Sequence, residues 1–109
     1  MIIKNIPFET TDWATVKSER HDGESGYAEW KVRQCGDIRV RVVEYSPNYK
    51  ADHWCAKGHI LFCLEGEMTT ELKDGRTIQL HKGISYQVED DNYPHSSHTK
   101  TGATLFIVD

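Results

Sequence analysis

The chain has 109 residues, with 13 Lys or Arg against 17 Asp or Glu and a formal charge of −4. That length suits one compact domain with no second module, and 38% hydrophobic residues with three Trp, five Tyr and three Phe supply one core and exclude a disordered chain. The acidic balance argues against a nucleic-acid backbone or an anionic membrane as the main partner, and an odd cysteine count of three excludes a complete intrachain disulfide framework.

Met1 to Phe8 is a short apolar patch broken by Lys4, Asn5 and Pro7, too short for a signal peptide, and no run approaches a membrane span. The expected compartment is therefore a reducing cytoplasm, where cysteines stay as thiols or bind metal. Thr10-Thr11-Asp12 predicts the cap of a short helix carrying Trp13 and Val16 and ending near Glu19 or Arg20. His21 to Gly26 reads as a polar loop. Tyr27 to Val32 alternates with period two, Gln34 to Asp37 is a turn, and Ile38 to Tyr45 alternates again. Ile38, Val40 and Val42 share one face of that strand, and Arg39 and Arg41 share the other, facing solvent or a partner subunit. Ser46-Pro47-Asn48 ends it.

Gly58 to Leu64 predicts a strand apolar on both faces, whose outer side needs cover from a second sheet or another subunit. Glu65-Gly66-Glu67 reads as a tight turn. Met68, Thr70 and Leu72 share a face, and Lys73 to Arg76 carries the Asp-Gly hairpin signal. Thr77 to Leu80 is a short strand and His81-Lys82-Gly83 a turn; Tyr86 and Val88 follow, then the acidic loop 89–94. Thr104 to Val108 closes the chain. Short strands separated by turn signals indicate an all-β sandwich or barrel.

The chemistry concentrates in Asp52-His53-Trp54-Cys55-Ala56-Lys57-Gly58-His59. His53, Cys55 and His59 have equal parity and would share a face on an extended chain, unless a bulge at Gly58 resets the count. Imidazole and thiolate suit Zn, Cu, Ni or Fe better than Mg or Ca. A local trio needs a further ligand from elsewhere, and His95, after Pro94, is the natural candidate. His21, His81 and His98 read as bystanders, Cys63 as core and Cys35 as incidental. Tyr86 and Trp30 are candidate pocket walls.

These residues resemble the first motif of the cupin superfamily, G-x5-H-x-H-x3-4-E-x6-G. His53 matches its first His, Cys55 stands where the second His belongs, His59 stands where the Glu belongs, and Gly66 closes it. Gly83 to His95 resembles the second motif, with one extra residue, and Thr99 replaces its final Asn. The two together span residues 47–99. The Asp-His-Trp-Cys box is similar to that of small single-domain DHCW-motif cupin-fold proteins. The resemblance implies an all-β double-stranded β-helix, with residues 1–26 as an irregular N-terminal arm and loop and 27–109 as the barrel of one domain. It also implies a homodimer, and one divalent transition metal in the barrel mouth, held by His53, Cys55, His59 and His95. Zinc is the first expectation, with Fe, Ni or Cu as alternatives. The implied partner is a small molecule, with metal-dependent oxygenation or isomerase/lyase-type chemistry if the metal keeps an open position. If all four side chains ligate, the His3Cys site is a closed staple and the protein is a non-enzymatic ligand-binding or metal-sensing module. No activated Ser, phosphate loop or nucleotide motif is present.

Overall fold

The computed structural model describes residues 2–109. A single 3-10 turn, Trp13–Thr15, precedes eight strands: β1 Glu19–Asp22, β2 Tyr27–Cys35, β3 Ile38–Tyr45, β4 His59–Leu72, β5 Thr77–His81, β6 Ser85–Val88, β7 His95–His98 and β8 Ala103–Val108. All pairings are antiparallel. One sheet runs β1-β2-β3-β8 to the first half of β4, where β6 takes the other edge; the second half of β4 pairs with β5 and β7. No helix among the described residues is long and apolar enough to cross a membrane.

The helix expected after Asp12 shrinks to one turn. Asp12 does cap it, accepting from the Ala14 N–H at 3.1 Å, but Val16 is already extended. The chain then pairs Glu19 to Asp22 with Trp30 to Tyr27. Sheet pairing with a strongly patterned neighbour outweighs a weak local helix signal. His21 accordingly lies in a strand and stacks on Trp30, ring centroids 4.0 Å apart.

The tight turn expected at Glu65-Gly66-Glu67 is absent: β4 runs on for 14 residues. What the glycine marks is a bulge. The register against β8 shifts between Cys63 and Glu65, and Gly66 adopts a positive φ of 81° with its backbone against the Gly102 carbonyl, where any Cβ would collide. One extra residue flips the inward parity. His59, Leu61 and Cys63 point inward before it, and Met68 and Thr70 after it, all buried. A single strand thereby lines the interior of both sheets.

The core joins Ala28, Val43, Leu61, Cys63, Met68, Leu80, Leu105 and Ile107. On β3 the polarity is opposite to the usual pattern. Arg41 and Val43 are buried with Tyr45 against the core, while Val40 and Val42 face outward. Arg39 and Arg41 thus face the interior rather than solvent or a partner. They can do so because Asp109 lies beside them. Arg39 makes two bonds to its carboxylate, at 2.8 and 3.1 Å, and Arg41 one at 2.9 Å.

Glu67 pins the turn between β7 and β8. Its Oε1 accepts from the Thr99 and Thr101 hydroxyls and from the Lys100 and Thr101 N–H groups, at 2.9–3.2 Å. The Thr101 backbone bond, followed by the hydroxyl bonds, holds this carboxyl below the usual glutamate range against the opposing effect of burial. Its stabilising contribution is therefore complete above the ordinary value of about 4.3 and is lost as pH falls through the lower folded-state value. Glu67→Gln should cost about 1 kcal/mol at neutral pH. Melting curves of variant and wild type should converge in acid; a gap of equal size at neutral and strongly acidic pH would contradict this account.

Candidate metal centre

Residues 51–58 are not a strand. They run alongside β7 and are tied to it at intervals: the Ala51 N–H donates to the Ser97 carbonyl at 3.0 Å, and Cys55 and His95 exchange two backbone bonds at 2.7 and 2.9 Å. This bridge brings the Cys55 thiol beside the His95 ring. His59 opens β4 opposite Val88 of β6 and faces inward. At that point the chain is fixed from the acidic loop, where the Asp90 carboxylate accepts the Gly58 N–H at 2.6 Å and the Asp91 N–H donates to the Ala56 carbonyl at 2.7 Å.

The outcome is a compact group. Ligand atoms of Cys55, His59 and His95 all lie within 4.8 Å of one another, on one half-buried and two buried residues. His53 is not part of it. Its side chain is 70% exposed and its Nδ1 contacts the neighbouring Asp52 carboxylate at 2.7 Å. Parity on an extended chain would have aligned it with Cys55, but the local backbone is irregular, so the rule does not apply there.

The two imidazoles meet Nε2 to Nε2 at 3.1 Å. The His95 Nδ1–H donates to the Tyr93 carbonyl at 2.8 Å, which directs its Nε2 into the group. The Tyr86 hydroxyl lies 3.1 Å from His59 Nε2. His59 Nδ1 is buried without a hydrogen-bond partner; the Asp109 carboxylate stands 3.7 Å away. Two nitrogens bound at about 2.0–2.1 Å to one tetrahedral ion stand about 3.3 Å apart, close to the separation found. One thiol and two imidazoles, the latter already converging, fit a divalent transition metal.

Electrostatics prepares the same three groups. Burial, then the charges of His95 and Arg41, push His59 down to about 4, so it is a neutral donor at physiological pH. The hydrogen bond with His95 lowers the Cys55 thiol against the opposing effect of burial, and the same bond raises His95. A thiolate is the ligating form of cysteine. Tyr86 is raised chiefly by burial and keeps its phenolic proton.

A cavity of about 940 Å³ opens onto the group. His59, His95, Tyr86 and Asp109 line its inner end, and Leu72, Ile78 and Tyr93 are among its walls. Trp30 lies with the core, its ring between His21 and the Arg41 guanidinium, which is 4.5 Å from its centroid. Cys63 is fully buried, His81 is exposed, and His98 faces away from His95 and Ser97 along β7. Asp109 is the participant that sequence patterning missed. Its only signal was indirect: two arginines alternating with valines need a buried counter-charge.

No protein-family model matches the chain, and no curated protein matches it. Solved structures do. A predicted oxalate decarboxylase from Thermotoga maritima superposes with a TM-score of 0.77 at 15% identity, over 92% of this chain and 96% of that one. An RmlC-like cupin from Shewanella frigidimarina gives 0.76 at 14% identity, over 94% and 90%. Fe(II)-HppE with an alternative substrate gives 0.76 at 18% identity, over 94% of this chain and 60% of that longer one. The likenesses establish the fold: this is a cupin barrel, the double-stranded β-helix.

Gly58 is the tightest point of the loop that carries the group. A Cβ there would sit 2.7–2.9 Å from backbone atoms of Val88, Glu89 and Asp90, none of which can rotate away. Gly58→Ala should lower stability by about 1–3 kcal/mol; an unchanged denaturant midpoint would show that the acidic loop does not anchor the start of β4.

Proposed function

We propose that this cupin-fold protein holds one divalent transition metal on Cys55, His59 and His95, and binds a small molecule from the adjoining cavity at the positions the protein leaves free. The observation that carries the reading is the 3.1 Å approach of the two Nε2 atoms beside the Cys55 thiol. Zinc is the first choice for a mixed thiolate and imidazole set, with iron, nickel or copper as alternatives. Three protein ligands leave an open position, the arrangement of catalytic rather than structural sites. The exposed side chain of His53 supports this reading over a closed His3Cys staple.

When bound, such an ion supplies Lewis-acid polarisation or, if iron, oxygen chemistry, and the reaction class we favour is metal-dependent oxygenation or isomerase/lyase-type conversion. The chain's own groups define the rest. Tyr86 offers a neutral hydroxyl at the inner end of the cavity, suited to hydrogen-bonding a ligand oxygen or nitrogen. The walls are largely apolar, and Asp37, Glu89 and Asp90 line the cavity while its one arginine, Arg76, is paired with Asp74 at 2.8 Å. This lining favours a neutral or cationic ligand with an apolar body over a small anion.

Protein purified without a chelating tag should contain about one equivalent of metal. Cobalt substitution should give a thiolate charge-transfer band that disappears in Cys55→Ser, and a chelator should lower the thermal midpoint by mass action. Absence of stoichiometric metal, before and after incubation with zinc or iron, would overturn the centre. Four protein ligands on the cobalt ion, with His53 among them, would favour the staple.

We also propose a homodimer. Val40, Val108 and Ile60 are paired across β3, β8 and β4, as are Val42, Phe106 and Phe62 one pleat away. All six face outward, and Ile60 and Phe62 are 47% and 39% exposed. Trp13 packs edge-on against Phe106 and covers one corner. A second copy meeting this flat face across a two-fold axis would bury it. Phe62→Glu should convert a dimer to a monomer in light scattering; a wild type that is already monomeric would refute the interface.

A further inference from the structure

Asp109 has a geometry that neither packing nor charge balance alone requires. Its side chain is fully buried, and three hydrogen bonds from Arg39 and Arg41 fix the carboxylate. The backbone is fixed as well, because Arg39 and Asp109 exchange bonds at 2.6 and 2.9 Å, one residue past the end of β8. His59 Nδ1 lies 3.7 Å from Oδ2, the oxygen that also accepts from Arg39 and Arg41, so the fixed carboxylate is the anionic acceptor nearest this nitrogen.

His59 needs such a partner. Its Nδ1 is buried and makes no hydrogen bond. A neutral imidazole has one proton, and with Nε2 directed at the proposed metal position that proton belongs on Nδ1. The opposite tautomer would place the Nε2 proton among the ligand atoms and aim the Nδ1 lone pair at a carboxylate. Arg41, whose Nε is also buried without a partner, could donate only to the opposite tautomer; it offers no acceptor for an Nδ1 proton.

The geometry points to Asp109 as a positioning residue for the metal centre. It accepts the Nδ1 proton of His59, fixing the tautomer that presents an Nε2 lone pair to the ion, and Arg39 and Arg41 keep the carboxylate aimed. This role rests on the metal reading proposed above. The residues differ from the ligands themselves, and their effect passes through one imidazole. At 3.7 Å the pair is within ion-pair range, and a small rotation of the imidazole brings it to hydrogen-bonding distance. Outer partners of this kind typically change metal affinity by 10–100-fold.

Two measurements test it. Zinc affinity, by competition with a chromophoric chelator, should fall about 10–100-fold in Asp109→Asn that circular dichroism shows to be folded. Proton and nitrogen-15 NMR of the zinc-loaded wild type should show the His59 Nδ1–H shifted downfield and protected from exchange, as a hydrogen bond to a buried carboxylate requires, a signature that a merely structural role for Asp109 would not produce and that needs no variant to fold. Failure of wild type to bind zinc would remove the centre and this role together. Zinc binding that Asp109→Asn leaves within about twofold, or a His59 Nδ1–H in the zinc-loaded wild type that exchanges freely with water, would overturn the role of Asp109 and leave the centre standing.

Discussion

Two arginines inside a small barrel require a carboxylate, and the structure is arranged around supplying it. An unpaired guanidinium in the interior would cost several kcal/mol, so Arg39 and Arg41 can point inward only where β8 ends and Asp109 follows. The pairing of Val40 with Val108 fixes that meeting. Its consequence spreads across three strands. With the charged face of β3 turned inward, the valine face turns out and meets Phe106, Val108, Ile60 and Phe62 on neighbouring strands. The buried ion cluster and the apolar exterior are thus two sides of one register, and the same cluster directs a carboxylate toward His59. Fold stability, the proposed dimer surface and the proposed centre share one interaction.

The second constraint is the bulge in β4. Without it, a strand of 14 residues would keep one parity, and the side chains that follow Gly66 would turn the wrong face to the core. With it, His59 opens the strand at the cavity, Leu61 and Cys63 pack the core, and Met68 and Thr70 line the second sheet. Leu72, at the far end, pairs with His95. One strand therefore begins at one histidine of the group and ends beside the other.

Much of this was legible in sequence. Ile38 to Tyr45 and the hairpin after Leu72 follow directly from alternation and turn chemistry, and of the four ligand candidates in the sequence, Cys55, His59 and His95 converge while His53 does not. The limits have physical causes. Alternation defines two faces of β3 but not which faces inward, because the deciding partner, Asp109, lies 68 residues from Arg41. Gly66 signals a left-handed backbone equally well in a turn or in a bulge. Parity aligned His53 with Cys55, but it holds only on regular strands. His95 reads as a loop end, because the bonds that make it the start of β7 come from Leu72 and Cys55, far away in the chain.

The irregular segment at 51–58 explains why three donors converge while the fourth stays outside. Cys55 is held by its two-way backbone bridge to His95, and His59 by the strand that it opens. Between these anchors Ala56 and Gly58 are tied to the acidic loop, so the spacing of thiol and imidazole is set from both ends. No such tie reaches the His53 side chain, which finds its partner in the adjacent carboxylate at the surface. On the proposed reading, three converging donors with His53 turned to the surface leave room for a ligand to share the metal. A closed staple would need the His53 side chain turned inward, away from the Asp52 carboxylate it contacts at 2.7 Å, although the backbone on either side of it is tied to β7 at Ala51 and Cys55.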